Sequence, residues 1–547
     1  MARLAPPWSL RGARGARRAP SRPDHDRFEL RSPTVTTPST SPTSIDPEVS
    51  ASTPEASRRR PTRAILGVIG VATIVGVAAG AAIGPQHQTV SASTAGDPGL
   101  ADRIRSLPGS LDSFRALSVA EIGPDGATFA GLGDADPRNP GAPTADTVFE
   151  LGSITKTFTG SLFAEAIERG EVSPDDTLAQ HLTELEGTPA GDVTLTSLSQ
   201  HSSGLPGLGA TAAEAAVAGV LLNENAYATT TTEQLIADAA VAPVDPDQGA
   251  LYSNFAVSLL GTALVEAADA DDYATLLEER ITGPLGMHDT VVAASADEVP
   301  ADAVPGFLIN GVPAPRWWGE GYLPAGSSTF TTMTDLALWA QANLDGTGPG
   351  TAALEPTAPM GEGAEIGWGW ITSASFSGDG FQTWHNGGTA GFRTMLTLDR
   401  DAGTAFIALS NSVAPADYIA MSYASGAPIP EVDAPTQTVA WGVFGLALLF
   451  GLIALIRSFR AKALLPSISD LIWVAFGLLL LWHSGPWFAV GGWLWGIALA
   501  PALAAIGVLV LRASRSPLPF QPRRRAWLWW SVAVIGALLV VGVTFLW

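Results

Sequence analysis

The chain has 547 residues, 46% of them hydrophobic and 15% charged, a formal net charge of −22 and no cysteine. That length holds more than one domain. The acidity argues against a nucleic-acid partner, and the lack of cysteine excludes disulfide staples, a thiol nucleophile and Cys-based metal sites.

Residues 1–63 carry 12 arginines among Pro, Ser and Thr, with few large apolar side chains. Such a composition cannot bury enough surface to offset chain entropy, so a disordered cytoplasmic tail is expected. Residues 64–84, AILGVIGVATIVGVAAGAAIG, are uncharged and follow RRRPTR. The run is long enough to span a bilayer and longer than a usual signal-peptide core. An uncleaved signal anchor is expected, with cleavage near Ala92 as the alternative.

The segment 85–437 holds about 10 Lys/Arg against roughly 45 Asp/Glu, a charge near −35. Its pattern mixes strands and helices. Phe114–Ile122 and Ala127–Leu132, joined by GPDG, read as a hairpin. After Gly152, apolar residues recur at helical spacing from Ile154 to Ile167, and Gly170 stands where the helix would end. Residues 438–547 supply four further apolar segments, divided by a break at HSGPW and flanked by Arg457, Arg460, Lys462 and Arg523 to Arg525. With the tail in the cytoplasm, every later basic cluster also falls inside, as the positive-inside rule requires. The expectation is a multi-pass plasma-membrane protein whose 85–437 domain is extracytoplasmic and whose C-terminal helices anchor and pack. Membrane lipid is then a partner, and any protein partner of these helices is not legible.

Chemistry is concentrated at three places in the external segment. The stretch ELGSITKTFTG contains Lys156, one of only two lysines, three residues after Ser153. On a helix that spacing puts the two side chains on one face. A serine hydroxyl needs a proton acceptor to become a good nucleophile; a desolvated lysine can serve, whereas a guanidinium cannot. The helix N-terminus adds free N–H groups that favour an oxyanion. Tyr252, Ser253 and Asn254 directly precede a second helical pattern, so a phenol and an amide can face a cleft there. In WHNGGTAGFRTMLTLD, His385, Asn386, Gly387 and Gly388 lead into an alternating strand expected at Phe392 to Leu398. Gly388 suggests a ligand approaching the backbone closely. Taken singly, each has a plainer explanation: a capping serine beside a surface lysine, a core tyrosine, a structural histidine.

In order and spacing these elements resemble the serine β-lactamase and penicillin-binding-protein superfamily, with its Ser-x-x-Lys, Tyr-x-Asn and Lys-Thr-Gly motifs, and most closely its class C β-lactamase-like branch with His-x-Gly as the third motif. QHSSGLP at Gln200–Pro206, ITGPLGMHDT at Ile281–Thr290 and LPAGSSTFTTMTDLALWA at Leu323–Ala340 add to the likeness, which covers about residues 100–425. The resemblance implies an α/β fold: a β-lactamase/transpeptidase-like domain with an antiparallel sheet flanked by helices plus a helical subdomain. It implies Ser153 as acylated nucleophile, Lys156 as proton acceptor and Tyr252 as proton shuttle, with Asn254 holding Lys156 and the substrate amide. The N–H groups of Ser153 and Gly388 would form the oxyanion hole, within a His385–Gly387–Gly388 strand.

The expected activity is that of a membrane-anchored serine hydrolase acting through an acyl-enzyme on small peptides, D-amino-acid or cell-wall peptides, or esters. His385 replaces the fixed positive charge that binds a β-lactam carboxylate, so β-lactam-like substrates are expected to fare poorly. The alternative is a slow or silent sensor signalling through the C-terminal helices. GSITKT lacks the glycine spacing of a phosphate loop, and His87, His181, His201 and His288 lack metal-ligand spacing, so no cofactor or metal is implied.

Overall fold

The structure, a computed structural model, describes residues 59–361, 363–431, 434–521 and 528–537. Residues 65–547 group into one compact unit and residues 1–64 into another. Of the latter only residues 59–64 are described, as the first turns of helix α1 (Arg59–Ile83); the tail expected at 1–58 lies outside the described residues. The helix thus starts inside the arginine cluster rather than at Ala64.

The strands in chain order are β1 (Thr94–Gly96), β2 (Ala116–Gly123), β3 (Gly126–Gly133), β4 (Phe149–Glu150), β5 (Val291–Val292), β6 (Thr329–Thr331), β7 (Ala358–Gly361), β8 (Ala364–Ile366), β9 (Ile371–Ala374), β10 (Phe381–Gly388), β11 (Arg393–Asp399) and β12 (Thr404–Ser410). Nine of them form one antiparallel sheet in the order β1-β3-β2-β12-β11-β10-β9-β8-β7, and β4-β6-β5 form a small second sheet. The hairpin expected from GPDG is β2–β3. Pro124 and Asp125 make its two-residue turn, and Gly126 takes φ +110°, a conformation that costs glycine nothing.

Alternation along the central strands buries both faces of the sheet. Leu396, Leu398, Ile407 and Leu409 point into one core, while Met395, Phe406 and Ala408 point into the other. The second face is covered by α2 (Pro98–Arg105) and α6 (Ala416–Ser425). The first carries the larger core, built with α3 (Thr155–Arg169), α4 (Asn254–Ala268) and α5 (Met333–Leu344). Helix α3 ends as its sequence indicates: Gly170 adopts φ +74° and Glu171 N donates to Ala166 O at 2.9 Å.

Four helices among the described residues are long and apolar enough to cross a membrane: α1, α7 (Ala434–Ser458), α8 (Leu464–Ser484) and α9 (Trp493–Ala513). The HSGPW break falls between α8 and α9. Of the fourth expected C-terminal span, residues 528–537 form a shorter apolar helix and 538–547 lie outside the described residues. Glycines let α1 and α9 touch along their backbones. A Cβ on Gly76 would lie 2.8 Å from Gly496 O, and one on Gly80 would overlap Gly492 O. Small residues four apart give this close approach in lipid.

Candidate active site

The site begins where β4 runs into a single tight turn, Gly152–Ile154, that continues as α3. Gly152 holds φ +66°, and a Cβ there would lie 2.7 Å from Gly388 N, so only glycine lets the turn press against the end of β10. Ser153 therefore sits at the start of a helix with its N–H outside the intrahelical ladder. One turn on, Lys156 is fully buried, its Nζ 2.9 Å from Ser153 Oγ and donating to Ala325 O at 2.6 Å. Burial without a carboxylate partner holds the amine well below the ordinary lysine range.

Tyr252 comes from the approach to α4. Ser253 caps that helix, accepting from Ala256 N at 2.9 Å and donating to Pro206 O at 2.7 Å, and this fixes its two neighbours. The Tyr252 ring lies 4.9 Å from Lys156 Nζ, 4.5 Å from the His201 ring and 6.4 Å from the His385 ring. Although 40% of the residue's surface is open, its phenol group is buried beside the Ser153 side chain. That burial, partly offset by a hydrogen bond with the Ser153 side chain, raises the phenol above its ordinary pKa. Asn254 donates to Tyr227 Oη at 3.5 Å, and its Oδ1 has no protein partner.

The third motif differs from its expected placement. His385, Asn386, Gly387 and Gly388 do not lead into the strand but form the last half of β10, and the strand expected from Phe392 begins at Arg393 as β11. The four residues Thr389–Phe392, TAGF, separate the two strands. A Cβ on Gly387 would overlap Thr394 Oγ1 and the Leu151 carbonyl oxygen, so at Gly387 the backbone that approaches closely is the protein's own segment leading into Ser153.

Register decides where the Gly388 amide points. Thr389 N donates to Phe392 O at 3.1 Å and closes the hairpin, so the next pair, Gly388 and Arg393, is a non-hydrogen-bonded one. The Gly388 N–H consequently faces away from β11. On that side β9 pairs with β10 only as far as Trp384, which leaves the amide open toward Ser153. Ser153, Asn254 and Gly388 line a common cavity of about 100 Å³ with Tyr227 and Trp317.

His385 is 1% exposed, and its Nδ1 lies 2.6 Å from Asn386 O. Burial, reinforced by Lys156, pushes it down to about 3, so the imidazole is neutral at pH 7. His201 is also buried, its Nδ1 accepts from Ser253 N at 3.3 Å, and burial drives its pKa well below the usual value. Two neutral imidazoles thus flank the phenol.

The chain also resembles known proteins along this segment. A family model described as Beta-lactamase matches residues 112–425, more than half of the chain. The chain belongs to the β-lactamase family. Within it, the D-alanyl-D-alanine-carboxypeptidase/endopeptidase AmpH of Escherichia coli K12 is 30% identical over 190 residues, 33% of this chain and 46% of that protein. The chain thus spans about half the length of the curated relatives it matches. The β-lactamase/D-alanine carboxypeptidase of Pseudomonas syringae aligns in structure with a TM-score of 0.50 at 17% identity, over 60% of this chain and 98% of that one. The octameric penicillin-binding protein homologue of Pyrococcus abyssi gives 0.50 at 22%, over 59% and 74%. Both show the shared β-lactamase-family fold.

All seven residues singled out from the sequence lie around one site, but Asn254 does not hold Lys156 as expected: the amine bonds Ser153 and Ala325, and Asn254 bonds Tyr227. Several neighbours were not named for it. His201 lies in QHSSGLP and Ala325 in LPAGSSTF, so the signal was present but local. Tyr227 and Trp317 come from segments with no periodic pattern, and nothing in the sequence brings them to Ser153.

Proposed function

We propose that the protein is a membrane-anchored, extracytoplasmic serine hydrolase that works through an acyl-enzyme on amide or ester substrates. The observation that carries this is the 2.9 Å contact between Ser153 Oγ and a buried Lys156 amine held below its ordinary pKa. In its neutral form, which burial favours, the amine gives one N–H to Ala325 O and keeps its lone pair for the serine proton. Ser153 Oγ then attacks the carbonyl carbon, and the oxyanion is met by the N–H groups of Ser153 and Gly388. Because its pKa is raised, Tyr252 stays a neutral phenol: it passes a proton between Lys156 and the leaving group rather than acting as a phenolate base. Asn254 is left with a free acceptor for a substrate N–H. Water resolves the acyl-enzyme.

The substrate class follows from what the cavity lacks. His385 is neutral, Lys156 is engaged inside, and Arg393 Nη1 donates to Thr389 O and Phe392 O at 2.7 Å each. Among the described residues no fixed cation is offered to a substrate carboxylate, which favours esters and peptide bonds remote from a free carboxylate over β-lactams; the AmpH likeness supports the peptide choice. The domain limits 64–84, 85–437 and 438–547 and the outward orientation belong to the same proposal, supported by the four apolar helices. A slow sensor is favoured by one feature: two segments of the hydrolase domain touch the apolar bundle, with Asn310 Nδ2 donating to Trp482 O at 3.4 Å and His87 Nδ1 2.8 Å from Trp487 O.

The test is covalent labelling of the full-length protein in detergent with a fluorescent fluorophosphonate. Wild type is expected to label on Ser153 and Ser153→Ala not to; equal labelling of both refutes the assignment. Turnover of a p-nitrophenyl ester, a D-Ala-D-Ala peptide and a chromogenic cephalosporin then ranks the substrates, and acylation without turnover of any would favour the sensor.

A further inference from the structure

Glu150 is a carboxyl for which the acylation scheme has no task. It lies on β4, three residues before Ser153, and is 1% exposed. Its Oε1 accepts from Trp317 N at 3.2 Å. Its Oε2 makes no full hydrogen bond, and neither does the buried Thr389 Oγ1, the hydroxyl whose interaction with the carboxyl favours the ionised form. Thr389 directly follows Gly388, and Trp317 lines the Ser153 cavity. The carboxyl therefore stands where three parts of the site meet: the nucleophile turn, the cavity wall and the turn that carries the oxyanion amide. The charged group acting on it is Arg316, whose guanidinium is already given to Pro300 O and Ala303 O at 3.3 and 2.5 Å. The paired strand β6 brings only Thr329, Phe330 and Thr331.

Resting on the serine-hydrolase reading, we propose that Glu150 is a positioning residue whose proton controls acylation. As the neutral acid it donates to Thr389 Oγ1 and accepts from Trp317 N, fastening the cavity wall and the Gly388 turn to the nucleophile turn. As the carboxylate it sets a buried negative charge behind the place where the oxyanion forms. Burial pushes this carboxyl up to about 7, so both forms are populated near neutral pH. At an effective dielectric of about 20, like charges even ~10 Å apart repel by roughly one decade of rate.

The experiment measures fluorophosphonate acylation of the full-length protein in detergent from about pH 5.5 to 9, for wild type, Glu150→Gln and Thr389→Val. Wild type is expected to lose about tenfold on the alkaline side of a midpoint near 7. Glu150→Gln should lack that descending limb. Thr389→Val should keep it with the midpoint moved upward, since the hydroxyl that favours the carboxylate is gone. An unchanged limb in Glu150→Gln, or an unmoved midpoint in Thr389→Val should the first variant fail to fold, overturns the inference while leaving the nucleophile assignment intact. No adduct on wild-type Ser153 at any pH would overturn the hydrolase reading and this inference with it.

Discussion

Replacing Lys156 by arginine keeps a hydrogen-bond donor of similar reach while removing the usable lone pair. In the structure Nζ has no exposed surface and two neighbours, Ser153 Oγ at 2.9 Å and Ala325 O at 2.6 Å. A guanidinium can still donate to both, but with a pKa above about 12 it cannot take the serine proton. A positioned general base is worth about 10²–10⁴ in rate, and at about 1.4 kcal/mol per decade Lys156→Arg should cost about 3–5 kcal/mol of transition-state stabilisation. The assay is the pseudo-first-order rate of Ser153 labelling at several probe concentrations, which separates binding from acylation. The loss should fall on the acylation constant. Lys156→Met is the companion: it also abolishes the base and leaves the Ala325 carbonyl without its donor, at about 1–3 kcal/mol of stability. Acylation by Lys156→Arg within about threefold of wild type would refute the general-base argument.

Two further outcomes follow from burial and close packing. Glu150 is more readily protonated in the folded chain than in the unfolded one, so its contribution to stability is complete below about pH 4.5 and is lost as pH rises through about 7. The difference of about 2.5 units corresponds to about 3 kcal/mol, so thermal unfolding should show Glu150→Gln gaining on wild type between pH 5 and 8; parallel curves would contradict the raised value. In the apolar bundle, Gly80→Leu places a side chain against the Gly492 carbonyl and the Gly496 backbone. Overpacking of this kind costs about 1–3 kcal/mol, read as a lower unfolding temperature in detergent, while a surface change such as Glu184→Gln should leave it unmoved.

Local signals carried much of the fold. The β2–β3 hairpin was legible because a two-residue turn flanked by glycines is specified by its own residues, and α3 because Gly170 ends a run of helical spacing. The third motif was expected to run into the next strand, whereas it ends β10 and a turn separates it from β11. Whether His385 to Gly388 precede or end a strand depends on pairing with β9 and β11, and a glycine-rich stretch has no pattern of its own to say so. Gly388 lines the Ser153 cavity, and Gly387 is held by a further constraint with no local signal: a Cβ there would overlap Leu151, more than two hundred residues upstream, and Thr394, a few downstream.

What the sequence by itself determined is which groups are available and in what order: an uncharged run long enough for a bilayer, a serine one turn from a lysine, a phenol and an amide before a helix, and a histidine before paired glycines. These follow from neighbours within about a dozen positions. The tertiary structure alone decided their chemical state. Lys156 is held well below its ordinary pKa because packing that includes the Leu323–Ala325 turn removes it from water, Tyr252 stays a neutral phenol because burial beside His201 and His385 raises its pKa, and Glu150 is pushed up to about 7 by burial, against the opposite pull of Thr389, Trp317 and Arg316. Desolvation is a property of everything packed around a group, and most of what surrounds these groups lies far away along the chain.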